Sequence, residues 1–146
     1  VKLVIETQYN ENYGAHNWNG EGECPQYWKS KGGSTYVVEN FVPDFDDLSN
    51  QVAKLIVLAK IEHRDEASEE YVIDWTVEDD SYETHNEKRD NELEVEDEYY
   101  AKDVRWWDYR LNQETGDRSQ KFRGYDGKIY LRTWPVNGEF SEKEIA

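Results

Sequence analysis

Residues 92–99 read Glu-Leu-Glu-Val-Glu-Asp-Glu-Tyr, and acid alternating with apolar residue is the pattern of an extended strand with one wet face. As a strand, this segment places Glu92, Glu94, Glu96 and Glu98 in a row about 20 Å long, because same-face side chains are spaced by twice the rise per residue. A line of regularly spaced carboxylates can imitate nucleic-acid phosphates and occupy the basic groove of a nuclease, repressor or polymerase. The same pattern suits a solvent-facing strand whose glutamates guard an edge while Leu93, Val95 and Tyr99 face inward. Alternation alone does not choose between the two. Glu78, Asp79 and Asp80 lie close upstream and extend the negative charge.

Trp106 and Trp107 follow the acids, with Tyr99, Tyr100 and Tyr109 beside them. Adjacent residues of a strand point to opposite faces, so one tryptophan can enter the core while the other meets solvent or a partner. An exposed tryptophan among acids suits an arginine-rich surface, through cation–π contact and ion pairing together. A second set of candidates lies in residues 10–34, where Tyr13, His16, Trp18, Tyr27, Trp28, Lys29 and Lys31 offer rings and cations to a planar, nucleotide-like ligand. That segment has no hydrophobic period and is rich in Gly and Asn, as a long binding loop would be.

Other chemistry finds less footing. His16, Glu21, Glu23 and Cys24 are metal-ligand types, but their spacing matches no zinc pattern, and His63 and His85 have no paired spacing. The acids around Glu78 lack the order of a helix-loop-helix calcium site. Cys24 with His16 is a formal nucleophile and base, yet no nucleophile elbow, phosphate loop or dinucleotide fingerprint accompanies them. No metal, cofactor or catalytic residue is therefore assigned.

The elements that would position these side chains follow from hydrophobic patterning. Alternation marks strands near the start (Leu3, Ile5, Thr7), at 35–42 and at 71–78. Further strand pieces are expected from Glu92 onward through Val104 to Leu111, and at 121–125 and 128–134 around the Asp126-Gly127 turn. Leu48, Val52, Leu55, Ile56 and Ala59 form one stripe of a helix over about 45–63, capped by Asp44. Residues 79–91 read as an acidic loop. The fold expected is α+β, a mostly antiparallel, curved sheet of about five or six strands against that one principal helix, within a single domain spanning 1–146.

Thirty-three acids against 17 Lys and Arg give 146 residues a formal charge of −16. Such a surface opposes direct binding to nucleic acid or an anionic membrane and favours a basic partner. Six Trp, eleven Tyr and four Phe supply a core despite the charge. The charge is uneven along the chain: residues 78–98 hold eleven acids and two cations, whereas 99–134 hold five acids and eight cations. The acids have an internal competitor for any partner. One cysteine excludes an intrachain disulfide, and the absence of a long apolar run implies a cytoplasmic protein.

Glu6-Thr7-Gln8-Tyr9-Asn10-Glu11-Asn12-Tyr13-Gly14-Ala15-His16, together with Gly22-Glu23-Cys24-Pro25-Gln26-Tyr27-Trp28-Lys29, resembles uncharacterised small acidic proteins encoded by tailed bacteriophages. In acidity and size the chain is also similar in kind to phage anti-restriction and anti-CRISPR proteins that imitate DNA. These resemblances imply a phage accessory protein acting in the bacterial host cytosol. The leading expectation is a non-enzymatic inhibitor that covers a basic nucleic-acid-binding or defence protein with Glu78, Asp79, Asp80, the four glutamates and the tryptophan pair. The competing expectation is a small-molecule binder built on the 10–34 segment. A metal-dependent hydrolase is a third.

Overall fold

The computed structural model describes residues 1–62 and 68–146; His63 lies outside them. The long strand β1 (Lys2–Asn12) is the axis of the fold. Along one edge it pairs antiparallel with β4 (Ser68–Glu78), and along the other with β2 (Trp28–Gly32) and β3 (Thr35–Val38), which lie end to end. Gly33 makes that junction possible: a Cβ there would sit 2.1 Å from the Thr7 carbonyl oxygen. β3 then pairs with β6 (Tyr109–Leu111), the one parallel pairing among the described residues. β5 (Arg105–Trp106) and β6 share an edge of β7 (Arg118–Arg123), whose other edge pairs with β8 (Ile129–Trp134), and β9 (Ser141–Glu144) pairs with β8.

The α+β class and the mostly antiparallel sheet agree with the sequence reading, but among the described residues the sheet has nine strands rather than five or six. β9 escaped the reading because Ser-Glu-Lys-Glu has no apolar alternation; cross-strand pairs Arg132–Glu142 and Lys128–Glu144 tie it to β8 and the turn before it. A second correction concerns helices. Among the described residues there are two α-helices, α1 (Leu48–Ala59) and α2 (His85–Glu96).

α1 is shorter than the expected 45–63. Asp44 does not cap it; the residue before the helix is Asp47, and residues 44–47 form a turn closed by Asp47 N donating to Asp44 O at 3.1 Å. Gln51 clamps that turn, accepting from Asp44 N at 2.8 Å and donating to Val42 O at 2.7 Å. The far end closes when Lys60 takes a left-handed conformation (φ 56°) and Ile61 N reaches back to Ile56 O. This double reversal satisfies carbonyls the helix leaves open and drives Ile61 into the core. Val52, Leu55 and Ala59 pack on Leu3, Ile5, Tyr36, Val38 and Leu111 of the sheet, each full-size apolar side chain contributing about 1.5–3 kcal/mol by burial.

Thr35, Val37 and Glu39 alternate with those core residues and so face the other side of the sheet. There Asn86 donates to Thr35 Oγ1, and Glu87 shares Arg110 with Glu39. The two helices thus lie against opposite faces.

Candidate acidic interface

Of the segment expected as a glutamate strand, residues 92–96 form the last part of α2, and Asp97 and Glu98 follow its end. Thr84-His85-Asn86-Glu87 is the cause: Thr84 Oγ1 accepts from Glu87 N at 3.1 Å, a helix start with Ser/Thr at the cap and Glu three residues on. Glu, Lys, Arg and Leu then carry the helix forward, and Val95 alone does not reverse it. The expected loop at 79–91 gives way to this helix from His85 onward.

Helical periodicity sorts the acids by face, because residues three or four apart are neighbours. Glu87, Asp90 and Glu94 point toward the sheet. Glu94 Oε1 lies 2.5 Å from Arg105 Nη1 and 3.2 Å from Arg123 Nη1. Asp90 is buried, accepts from Tyr100 Oη at 3.0 Å, and has Arg105 Nε 3.9 Å away. Glu87 accepts from Arg110 Nη2 at 3.0 Å. Three arginines of β5, β6 and β7 therefore receive one acidic stripe, and Trp107 supports the central one, its ring 4.4 Å beneath the Arg105 guanidinium.

Glu92 and Glu96 point away from this seam and Glu98 lies beyond the helix end; all three are exposed, and among the described residues none makes an ion pair. The straight four-carboxylate row does not form, since Glu94 turns inward. The remaining expected acids are also divided. Glu78 is half-buried at the end of β4; Asp79 accepts from Ser81 N and Oγ, bonds that hold its carboxyl below the usual carboxylate range; Asp80 lies 2.9 Å from the Val1 amino group.

The tryptophan pair splits between faces as strand geometry requires. Trp106, 45% exposed, packs on Phe122 with ring centroids 4.2 Å apart, and the Arg132 guanidinium covers both rings. Each tryptophan is thus matched to an arginine of its own chain.

The 10–34 segment is more structured than the expected loop: β1 runs through Asn12, a 3₁₀ turn spans Tyr13–Asn17, and β2 occupies Trp28–Gly32. Buried Asn12 organises it, its Oδ1 accepting from Gly14 N and Tyr27 N. Tyr13 and Tyr27 stack 5.4 Å apart with Lys29 Nζ 5.4 Å from the Tyr13 centroid. His16 Nε2 and Lys31 Nζ both meet Glu11, whose carboxyl they hold below its usual range. Trp18 and Trp28 remain exposed, each indole N–H donating locally, to Glu21 O and Gln26 Oε1. Cys24 Sγ sits 3.9 Å from Asn12 Nδ2, and Glu23 and Glu21 are exposed. Among the described residues no three or more His, Cys, Asp or Glu side chains are arranged to hold a metal ion.

One buried cluster was not anticipated from sequence. Tyr36 donates to the buried Glu70 carboxylate (2.9 and 3.1 Å), Thr7 Oγ1 donates to the same group, and Arg118 Nη1 donates to Tyr36 Oη at 3.2 Å. Burial first, opposed by Arg118 and reinforced by Glu70, pushes the Tyr36 phenol well above its ordinary value. Alternation placed Tyr36 in a strand; that its hydroxyl would meet a glutamate 34 residues on left no local signal.

Among the described residues no helix is long and apolar enough to cross a membrane. Comparisons with protein-family models, curated proteins and solved structures returned no match.

Proposed function

We propose that this chain is a non-enzymatic binding protein that covers a basic, nucleic-acid-binding surface of a partner protein, as a phage-type inhibitor of a host defence or nucleic-acid enzyme would. The observation that carries this reading is the sorting of acids along α2: Glu87, Asp90 and Glu94 are matched to arginines, while Glu92 and Glu96 on the capped helix, and Glu98 just past its end, are left in solvent. Unneutralised carboxylates on a rigid helix keep a fixed spacing, and a charge of −16 steers a basic partner toward them. The DNA-like feature is therefore a helix face rather than a strand row.

The test is displacement of labelled duplex DNA from purified basic DNA-binding proteins of a bacterial host, nucleases included. Displacement at low salt that fades as salt rises is expected, with at least a tenfold weaker effect, on the order of 1.4 kcal/mol, for the Glu92→Gln/Glu96→Gln/Glu98→Gln variant. Displacement unchanged by those substitutions, or none at low salt, contradicts the reading.

A second reading, a planar ligand on the hairpin end, is favoured by the Tyr13–Tyr27 stack with Lys29 above it. Thermal stabilisation by AMP that is lost in Tyr13→Ala would support it; no stabilisation would count against it.

A further inference from the structure

A cavity of about 430 Å³ opens where the end of α1 meets the sheet, lined by Ala59, Lys60, Tyr109, Arg118, Trp134, Pro135 and Val136. In a chain with nearly twice as many acids as cations, this lining holds two cations and, among the described residues, no carboxylate. Arg118 is half-buried, its guanidinium 5.2 Å from the Tyr36 ring centroid and 5.8 Å from that of Tyr109. Its one hydrogen bond is to Tyr36 Oη, and among the described residues no acid forms an ion pair with it. Four of the five guanidinium donors are thus without a protein acceptor among the described residues. The Tyr36 hydroxyl stands between Arg118 and the buried carboxylate of Glu70, bonded to both.

The second cation is held at a conformational cost. Lys60 has φ 56° at the helix end, where glycine is the usual residue. A lysine, not a glycine, thus occupies this left-handed backbone position in the cavity lining. The walls are aromatic and fixed: Tyr109 stacks on Tyr36 at 5.1 Å and meets Trp134 edge-on at 5.8 Å. Asp117 Oδ1 accepts from Val136 N at 2.9 Å, and Gly116, whose Cβ would come 2.8 Å from Leu58 O, lets the neighbouring turn close against α1.

We propose that this cavity binds a small planar organic anion, its ring against Trp134 and Tyr109 and its carboxylate, sulfonate or phosphate at Arg118 and Lys60. The volume falls in the range of small-ligand sites, and the lining sets two aromatic rings beside two cations. The site lies apart from the outward acids of α2 and does not depend on them.

Calorimetric titration with 1-naphthalenesulfonate, and with the uncharged 1-naphthalenemethanol as comparator, tests it. Saturable one-to-one binding is expected, at least about tenfold tighter for the sulfonate, with the Trp134 indole resonance shifting in the NMR spectrum. Lys60→Gln and Arg118→Gln should each weaken the sulfonate at least fivefold (roughly the loss of one charged contact). Titration with 1-naphthoate and AMP distinguishes carboxylate from phosphate as the preferred group. Lys60→Gly separates the site from stability, since it should raise the melting temperature by relieving the left-handed strain while weakening the probe. The proposal is overturned if no saturable binding occurs at millimolar probe, if the neutral comparator binds equally, or if Lys60→Gln and Lys60→Gly leave affinity unchanged; these exposed-residue variants decide the matter even if Arg118→Gln does not fold.

Discussion

The two helices are both twelve residues long and lie on opposite faces of one sheet, yet they are held by different forces. α1 buries Val52, Leu55 and Ala59 in the apolar core, whereas the buried residue of α2 is Asp90, and its inner stripe is fastened by Arg105, Arg110 and Arg123. An apolar stripe has no use for charge on its inner face. A salt-bridged stripe needs acids inside and arginines opposite, so only acids beyond that requirement are available to a partner.

The largest expected effect comes from the apolar helix. Leu55→Ala should cost about 3 kcal/mol in urea unfolding and weaken both helices together, because it destabilises the sheet on which both pack. Arg105→Met should cost about 2 kcal/mol but act locally: α2 amides exchange faster while α1 amides keep their protection. Raising salt in the native protein should move α2 in the same direction, with little change in α1. Uniform loss in both helices would erase the distinction.

Thr84→Ala is expected to cost about 1 kcal/mol by removing the α2 cap, and it also takes a donor from Asp108, 2.6 Å away. The smallest effect is a pH dependence at Asp108. Burial raises its carboxyl above the usual range, against the pull of hydrogen bonds from Thr84 and Asn86. A raised acid favours the folded state when protonated; that stabilisation is full below the ordinary Asp range and lost as pH rises through the raised folded value. Across that window the native protein should lose stability relative to Asp108→Asn. Parallel pH profiles would mean the carboxyl is not desolvated.

The difference between the helices also explains what the sequence disclosed. β1, β3, β4 and α1 were readable because their apolar residues repeat with the period of their structure: Leu3 and Ile5 alternate, and Val52, Leu55 and Ala59 recur at helical spacing. α2 has almost no apolar residues to repeat, and Glu-Leu-Glu-Val-Glu alternates by composition while folding as a helix. Two signals pointed the other way: Thr84-x-x-Glu87 as a helix start, and Glu87, Asp90 and Glu94 at helical spacing. The second acquires meaning only with Arg105, Arg110 and Arg123, which the fold brings from elsewhere in the chain. The sorting of Trp106 from Trp107 was readable from alternation, but their arginine partners were not. The Arg118–Tyr36–Glu70 chain joins residues from three strands and had no pattern to find.

The central claim, that the acids of α2 divide between those that hold the helix and those left in solvent, is tested most directly by residue-resolved amide exchange in two variants. Glu94→Gln should accelerate exchange along α2 tenfold or more, since charged hydrogen bonds of about 1.5–3 kcal/mol are lost. Glu92→Gln/Glu96→Gln/Glu98→Gln should leave α2 as protected as before or more so. If the triple variant accelerates exchange, or Glu94→Gln does not, the division is wrong.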